Sequence, residues 1–495
     1  MRNLNTQVFF ISPRKTCALD AHGYPVQKLR CSVSLPALTI LGALENAGFE
    51  TDFLDLAADG WEHQEVLNSS AIQYGLSTED AIDLIAQRNP KFVLITSMFT
   101  FEQMVVDELV CSIKKAFPEI IVILGGVHAT IRPDWHFEES APDFIVLGEG
   151  EQTIVQLLTE LAQDTPNVES VCGIAFRNSQ GKIEKTPPRD RQVQLDWAWS
   201  YQRILLKPNG ESRYIDKFCR KHPVYADSTI GEDVPSFAFY SSRGCRTKCH
   251  YCPASQKEGR IIRHMGAERA FTQFKTVREN YSVGVFANQS DAFCVSIEDK
   301  RFLKMVTDYR LSSGDNKFAL NNPNAFFLHL FFPPEQDYNL DVDFLDLLVS
   351  AGFNTVTIAV ETLIPRYNRK VNWNRIRPEQ VIELCQVIRD KGLKSDIYMM
   401  YGFPEQTEEE FARDVTFGEA LRVYADFVTW NGLTLLPDTR YYHDYIERQS
   451  GGEKKYRQTM RSGHAWHYPL DLFNFSHVPT SVFSEKIKPF GQSWI

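Results

Sequence analysis

The sequence holds 495 residues, too many for one ordinary domain and enough for two or three cores. Its 43% hydrophobic and 23% charged residues are those of an ordinary globular protein, and without a run of about 18 apolar residues no membrane-spanning helix is expected. A net charge of −10 argues against a broad nucleic-acid surface, and ten cysteines scattered without a disulfide framework fit a reducing cytoplasm.

The stretch from Met1 to Ile11 lacks the apolar core and cleavage site of a signal peptide and leads instead into a first strand, Val8-Phe-Phe-Ile-Ser12. From residue 7 to about 165, strand and helix patterns alternate, which predicts a parallel α/β, Rossmann-like domain over 1–165. Leu35 to Leu44 has helical spacing, with a stop at Gly48. Phe53-Leu-Asp-Leu reads as the second strand. Phe92 to Thr96 is the third, followed by a helix over 105–114. Ile120 to Gly126 is the fourth strand, and Phe144 to Gly148 the fifth, leading to a helix over 153–161. Such sheets bind ligands at the carboxyl ends of their strands. At those ends stand Ser97, then Gly125-Gly126-Val-His128, then Gly148-Glu149-Gly150-Glu151. Paired glycines let backbone approach a large flat or phosphate-bearing ligand closely. Plain roles also exist: a tight turn, a loop-bonding histidine, a helix entry whose acids suit the dipole. No G-x-G-x-x-G occurs, so a nicotinamide site is not supported.

Residues 166–235 read as a connector. It has a hairpin (Gly173-Ile-Ala-Phe-Arg, then Gly181-Lys-Ile-Glu), the Trp-rich Asp196-Trp-Ala-Trp-Ser-Tyr201, and the basic Lys217-Phe-Cys-Arg-Lys-His222, a solvated face or an anion site. Pro235 to Tyr240 is then a short apolar strand, and it opens onto Ser241-Ser-Arg-Gly-Cys245-Arg-Thr-Lys-Cys249-His-Tyr-Cys252-Pro253. Three cysteines at C-x3-C-x2-C on one loop can hold three irons of a [4Fe–4S] cube, with the fourth iron open to a small molecule. Structural zinc with His250 as fourth ligand, or three structural cysteines, are the competing assignments.

Strand–helix alternation resumes over 236–440. A helix is expected over 269–278 and a strand over 283–288. Ala325 to Phe332 is a continuous apolar run, a buried strand or a pocket wall. A helix over 344–351 ends at Gly352. The strand Thr355 to Thr362 follows, with Glu361 at its carboxyl end, where the plain alternative is an acid at a helix N-terminus. Ile397 to Phe411 reads as strand, glycine turn at Gly402-Phe-Pro404, then a helix capped by Thr407 with Glu410 three residues on. Phe427 to Trp430 and Leu433 to Thr439 form a last strand and its exit. The tail, 441–495, carries Trp466, His467, Phe473, Phe475 and His477 and is expected to cap the barrel mouth.

The cysteine triplet, with Tyr251 before its third member, resembles the signature of the radical S-adenosylmethionine (SAM) superfamily. Gly402 to Thr407 resembles that superfamily's G-x-P-x-E/Q-T turn, which lies beside the adenosine. Leu124 to Thr130 and Val146 to Thr153 are similar to the N-terminal cobalamin-binding domain of one large branch of it. The resemblance spans most of the chain. It implies a Rossmann-like cobalamin domain, then a partial (β/α)6 barrel whose Cys245, Cys249 and Cys252 ligate a [4Fe–4S] cluster. SAM would chelate the open iron near Tyr251, Glu361, Gly402 and Pro404. The corrin would lie against Ser97, Thr100, Gly125, Gly126, His128, Gly148, Glu149, Gly150 and Thr153, without a histidine ligand from the protein below cobalt. Asp20-Ala-His22-Gly23 echoes the motif of His-on cobalamin enzymes with the wrong glycine spacing and reads as a loop. Where relatives place paired acids after the second barrel strand, only Asp291 stands here.

Many enzymes of this branch methylate an unactivated carbon or phosphorus, using two SAM molecules per turnover: one feeds its methyl to the corrin and one yields the radical that removes hydrogen. The resemblance therefore implies a methyltransferase; the acidic total suggests a small metabolite or natural-product intermediate as its substrate, and the cysteine usage a cytoplasmic setting. An external donor such as flavodoxin or ferredoxin would supply electrons. Relatives that cyclise, contract rings or oxidise are the first alternative, and a non-catalytic cobalamin or iron–sulfur sensor the second. The extra cysteine trio and basic tail of methylthiotransferases are not seen.

Overall fold

A computed structural model describes residues 7–18, 33–68, 71–214, 235–254, 259–370, 377–448, 451–461, 474 and 476–490. The chain divides into two compact units, Met1–Tyr214 with Glu453–Ala465, and Ile215–Gly452 with Trp466–Ile495.

Strands of the first unit are β1 (Gln7–Ser12), β2 (Lys15–Ala18), β3 (Glu50–Asp55), β4 (Gln64–Asn68), β5 (Ala71–Tyr74), β6 (Phe92–Thr96), β7 (Ile121–Gly125), β8 (Phe144–Val146), β9 (Ile174–Arg177) and β10 (Ile183–Lys185). Seven of them form one sheet in the order β10-β9-β8-β7-β6-β1-β3. The five parallel strands from β3 to β8 follow the doubly wound 2-1-3-4-5 order, so the crevice for a ligand opens at the carboxyl ends of β1 and β6, where the winding reverses. Burial on both faces explains the near-continuous apolar strands. Phe9, Ile11, Val93, Ile95, Val122 and Leu124 pack under helix Gln103–Ala116, whose Val106, Leu109, Val110 and Ile113 repeat at helical spacing.

The described part of 166–235 differs from a free connector: β9 and β10 add antiparallel strands to β8, completing the sheet. The Trp-rich stretch is packed as well. A Cβ on Gly42 of helix Leu35–Asn46 would stand 2.1 Å from the Ala198 carbonyl oxygen, and Ser200 N–H donates to Leu38 O at 3.1 Å. A small antiparallel sheet, β2-β5-β4, was not expected; its strands are short and mixed in polarity, with no period to read.

The second unit holds β11 (Ser236–Phe239), β12 (Ser242–Arg243), β13 (Arg263–His264), β14 (Val285–Asn288), β15 (Ala319–Asn321), β16 (Phe326–Phe327), β17 (Thr355–Glu361), β18 (Lys394–Tyr401) and β19 (Phe427–Gly432). Two parallel sheets, β11-β14-β15 and β16-β17-β18-β19, alternate with helices, the pattern of a partial (β/α)6 barrel with β11, β14, β15, β17, β18 and β19 as its main strands. Ala325 to Phe332 is not one long strand. Only Phe326 and Phe327 join the ladder, and a 3-10 turn follows at Leu328–Leu330. The run is apolar because it is core: Phe326 meets the rings of Phe293, Phe331, Phe344 and Phe353.

In the tail, helix Arg440–Arg448 belongs to the second unit, while Tyr456 and Arg457 pack on Trp135 in the first. His22, the 217–222 basic cluster, Trp466, His467, Phe473 and Phe475 lie outside the described residues. Among the described residues no helix is long and apolar enough to cross a membrane.

Candidate functional site

The cysteine loop is held at its entry by buried polar groups from three later segments. Ser241 N–H donates to Ser290 Oγ at 3.0 Å, and Ser241 Oγ donates to Asp299 Oδ1 at 2.6 Å. His264 Nε2 meets the same Asp299 oxygen at 2.7 Å. Gly244 has φ +102°, and a Cβ there would stand 2.3 Å from the Ile261 carbonyl oxygen, so the turn accepts only glycine. Beyond it, Cys245 N–H donates to Gly259 O, Cys252 N–H to Cys249 O, and Tyr441 N–H to His250 O, at 3.1, 3.2 and 3.1 Å. The His250 ring lies edge-on to Tyr441 with centroids 5.6 Å apart.

None of the eight described cysteines forms a disulfide. Among the described residues, no three His, Cys, Asp or Glu side chains converge tightly enough to share a single metal ion. A cube asks for something else, one sulfur per iron at separate corners. Three sulfurs on one loop meet that demand. Burial first, then Glu361, pushes the Cys249 thiol up to about 12. In a cluster bound here, the positive charge of iron would supply the pull that makes it a thiolate.

Glu361 ends β17 at a register shift in its pairing with β18 and takes φ +68°, a left-handed conformation costly for a glutamate. The result is a buried carboxylate that accepts the Tyr251 hydroxyl. Burial and this carboxylate hold the Tyr251 phenol well above its usual range. Structure therefore gathers Cys249, Tyr251 and Glu361. The turn after Glu361 is clamped by Asp414 from helix Glu408–Leu421. Its carboxylate accepts Thr362 Oγ1 at 2.6 Å and Leu363 N–H at 2.8 Å.

At the next strand end, Gly402 (φ +81°) donates its N–H to Gln406 Oε1 at 2.9 Å. Pro404 O accepts Tyr367 OH at 2.6 Å, and Thr407 and Glu410 form the expected capping box. Gln406 is fully buried, and its Nε2 has no partner among the described residues. Tyr441 likewise buries an unpartnered hydroxyl, its phenol raised by burial and by neighbours including Tyr367, Glu361 and Cys249. Asp299, Asp414, Gln406 and Tyr441 are among the members not singled out from the sequence, as are His264 and Tyr367. Only Gln406 had a local signal, its place in the G-x-P-x-E/Q-T turn.

In the first unit, Ser97, Thr100, Gly125, Gly126 and His128 meet at the ends of β6 and β7. Ser97 N–H donates to Gly125 O at 2.7 Å, and Ser97 O accepts His128 N–H at 3.1 Å. The Ser97 hydroxyl lies 3.0 Å from His136 Nε2, whose Nδ1 lies 2.6 Å from Asp107 Oδ1. Thr100 Oγ1 lies 3.2 Å from His128 Nδ1. Burial and His136 hold the His128 imidazole well below its usual range, hence neutral at pH 7. Its Nε2 is buried without a partner among the described residues. A Cβ at Gly148 would meet nothing within 4 Å, and one at Gly125 only Val146 at 3.9 Å. Open space beside two strand-end glycines, with an unmet imidazole nitrogen in the same region, fits a broad ligand bearing polar edges. Thr153 instead ties its helix to the segment after β10, accepting Arg189 Nε at 2.8 Å, while Glu149 is half-buried and Gly150 packs on Ile40.

Gly126 has no such freedom: at φ +108° a Cβ would stand 2.6 Å from Ser97 O. Gly126→Ala is expected to destabilise the first unit by about 1–3 kcal/mol and to lower corrin retention, read as melting temperature and corrin bound per chain.

The B12 binding domain model matches residues 31–158, and the Radical SAM superfamily model matches residues 239–418. The two-unit fold and the cysteine loop define an iron–sulfur, SAM-dependent class of enzyme. The chain belongs to the radical SAM superfamily, in the branch that carries a B12-binding domain ahead of the barrel. It is 24% identical over 414 residues to the cytidylyl-2-hydroxyethylphosphonate methyltransferase of Streptomyces wedmorensis, covering 80% of this chain and 73% of that one. With the anaerobic magnesium-protoporphyrin IX monomethyl ester cyclase of Rubrivivax gelatinosus it shares 24% over 328 residues, 66% of this chain and 53% of that one. In fold it is similar to the radical SAM methyltransferase TsrM of Kitasatospora setae, with a TM-score of 0.66 and 19% identity over 90% of this chain and 76% of that one.

Proposed function

We propose that this enzyme transfers a methyl group from SAM to an unactivated carbon or phosphorus of a small metabolite or natural-product intermediate. The observation that carries it is the pairing, in one chain, of a B12-binding fold with a three-cysteine loop beside a buried glutamate. The relatives named methyltransferases support it. When bound, the cluster, SAM and the corrin supply one-electron reduction, a sulfonium donor and a methyl carrier.

The chain's own residues bind and orient. Cys245, Cys249 and Cys252 would hold the cluster. Glu361 would offer a fixed carboxylate to SAM, and Gly402 to Pro404 would present backbone to it. Asp414 keeps the Glu361 turn from relaxing out of its strained conformation, a form of positioning that raises effective concentration. Ser97, Gly125, Gly126 and His128 bound the corrin crevice. Electrons come from an external low-potential donor such as flavodoxin or ferredoxin, which also requires a reducing compartment such as the cytoplasm.

Similarity to the cyclase supports a second reading, radical rearrangement or cyclisation without methyl transfer. One experiment separates them. Protein reconstituted anaerobically with iron, sulfide and hydroxocobalamin, reduced with SAM and candidate substrate, is analysed for S-adenosylhomocysteine and 5′-deoxyadenosine. Methyl transfer yields the first; 5′-deoxyadenosine alone supports the cyclase reading, and neither product removes both. Glu361→Gln keeps an acceptor for Tyr251 but loses the charge, and is expected to weaken SAM binding about tenfold with the cluster's absorbance intact.

A further inference from the structure

Strand β15 runs out into Leu320-Asn321-Asn322-Pro323-Asn324 at the carboxyl end of a parallel sheet, the end at which such folds bind ligands. The loop's backbone is braced. Asn324 Nδ2 donates to the carbonyls of Gln289 and Ser290 at 3.0 and 3.2 Å, Ala325 N–H to Asn322 O at 3.1 Å, and Tyr398 OH to Pro323 O at 3.4 Å. The side chains of Asn321 and Asn322 are another matter. They are 3% and 2% exposed, and among the described residues neither amide atom of Asn322, nor Oδ1 of Asn321, has a hydrogen-bond partner.

Each unmet buried polar atom costs about 1–3 kcal/mol, and an apolar pair of the same volume would avoid it. Asn288, at the same end of the neighbouring β14, shows the ordinary solution: its Nδ2 donates to Ser241 Oγ at 3.3 Å and its Oδ1 accepts Ser290 N–H at 2.8 Å. Asn322 is thus held on a braced backbone with both ends of its buried amide unmet.

We propose that Asn322 forms a subsite for a planar edge bearing an amino group beside a hydrogen-bond acceptor, the edge of an aminopyrimidine or adenine base. The two unmet ends of its amide select this chemistry. Its carbonyl oxygen needs an N–H donor, which the amino group supplies, and its Nδ2 needs an acceptor, which the adjacent ring nitrogen supplies. A carboxylate or phosphate brings acceptors only and leaves the oxygen unmet. An ammonium brings donors only and leaves Nδ2 unmet. The edge has two sources, the adenine of SAM or the base of a nucleotide-bearing substrate; the second deepens, and rests on, the proposed function.

Asn322→Leu keeps the branched shape and deletes the amide. In protein loaded with cluster and corrin, equilibrium dialysis is run separately with SAM and with cytidine 5′-monophosphate. The expected result is about tenfold weaker binding of one probe with the other unchanged, and a melting temperature no lower than the parent's. Loss confined to SAM identifies the edge as its adenine, and loss confined to the nucleotide identifies a substrate base. Unchanged binding of both probes, including failure of the nucleotide to bind the parent while SAM binding is unaltered, overturns the proposal. So does equal loss of both with a lowered melting temperature. Asn322→Ala, scored the same way, decides if the leucine variant does not fold. S-adenosylhomocysteine formation by the parent is assayed apart, so failure of methyl transfer is distinguishable from failure of the subsite.

Discussion

Cys249→Ala is expected to abolish the visible absorbance of the cluster and bring both nucleoside products to background, while corrin retention stays at the parent's level. The reason is local. Cys249 lies between Cys245 and Cys252 on a loop whose backbone is closed by Cys245 N–H to Gly259 O and Cys252 N–H to Cys249 O, so no other sulfur can move into its place. Three thiolates are the minimum that leaves one iron free for a small molecule, and two cannot hold the cube. Removing a half-buried thiol leaves a small void and no unpaired charge, so the variant is expected to fold. Corrin is measured in the same preparation as the control, because its expected contacts, Ser97 to His128 and Gly148 to Thr153, belong to the other compact unit. Parallel loss of corrin would mean that the two units do not bind their ligands independently. An intact cluster in the variant would remove Cys249 from the ligand set.

Local chemistry was legible in the chain and remote pairing was not. The Thr407–Glu410 capping box, the turn at Gly402 and the strand ending at Glu361 each depend on residues within a few positions of one another, and each stands as expected. The alternation of strands and helices revealed both α/β units, although only the structure gives the 2-1-3-4-5 order that opens the crevice beside Ser97. What holds the site pairs residues far apart: Ser97 with His136 across 39 positions, Thr362 with Asp414 across 52, Ser241 with Asp299 across 58. No period or spacing announces such partners. Ala325 to Phe332 misled for a related reason, since burial on all sides gives the same apolar run whether the backbone is a strand or, as here, mostly a turn among phenylalanines.

Asp396→Asn is expected to stabilise the protein at pH 8 by about 4 kcal/mol at most and to change little at pH 4. Asp396 is only 4% exposed on β18, and Thr429 Oγ1 donates to its Oδ1 at 2.8 Å. Burial dominates that bond and raises its pKa from 3.8 to about 7. Below pH 3.8 the carboxyl is neutral in folded and unfolded chains alike, so this side chain's contribution is at its best. Between there and pH 7 the unfolded chain ionises first, and stability falls as pH rises. Asparagine keeps the acceptor for Thr429 and has no charge to bury, so the difference between variant and parent should grow with pH and level off above neutrality. Urea midpoints of both proteins across the range measure it, and a difference independent of pH would show that Asp396 ionises alike in the folded and unfolded chains. A strongly raised carboxyl is often read as catalytic. Here its place along the strand decides otherwise. Asp396 is the third residue of β18, near the amino end, whereas Glu361 and Gly402 stand where strands finish. In a parallel barrel the finishing ends carry chemistry and the starting ends carry stability. Glu361, with its strained backbone and its bond to Tyr251, is proposed to serve a ligand; Asp396 is expected to leave SAM cleavage unchanged when its charge is removed.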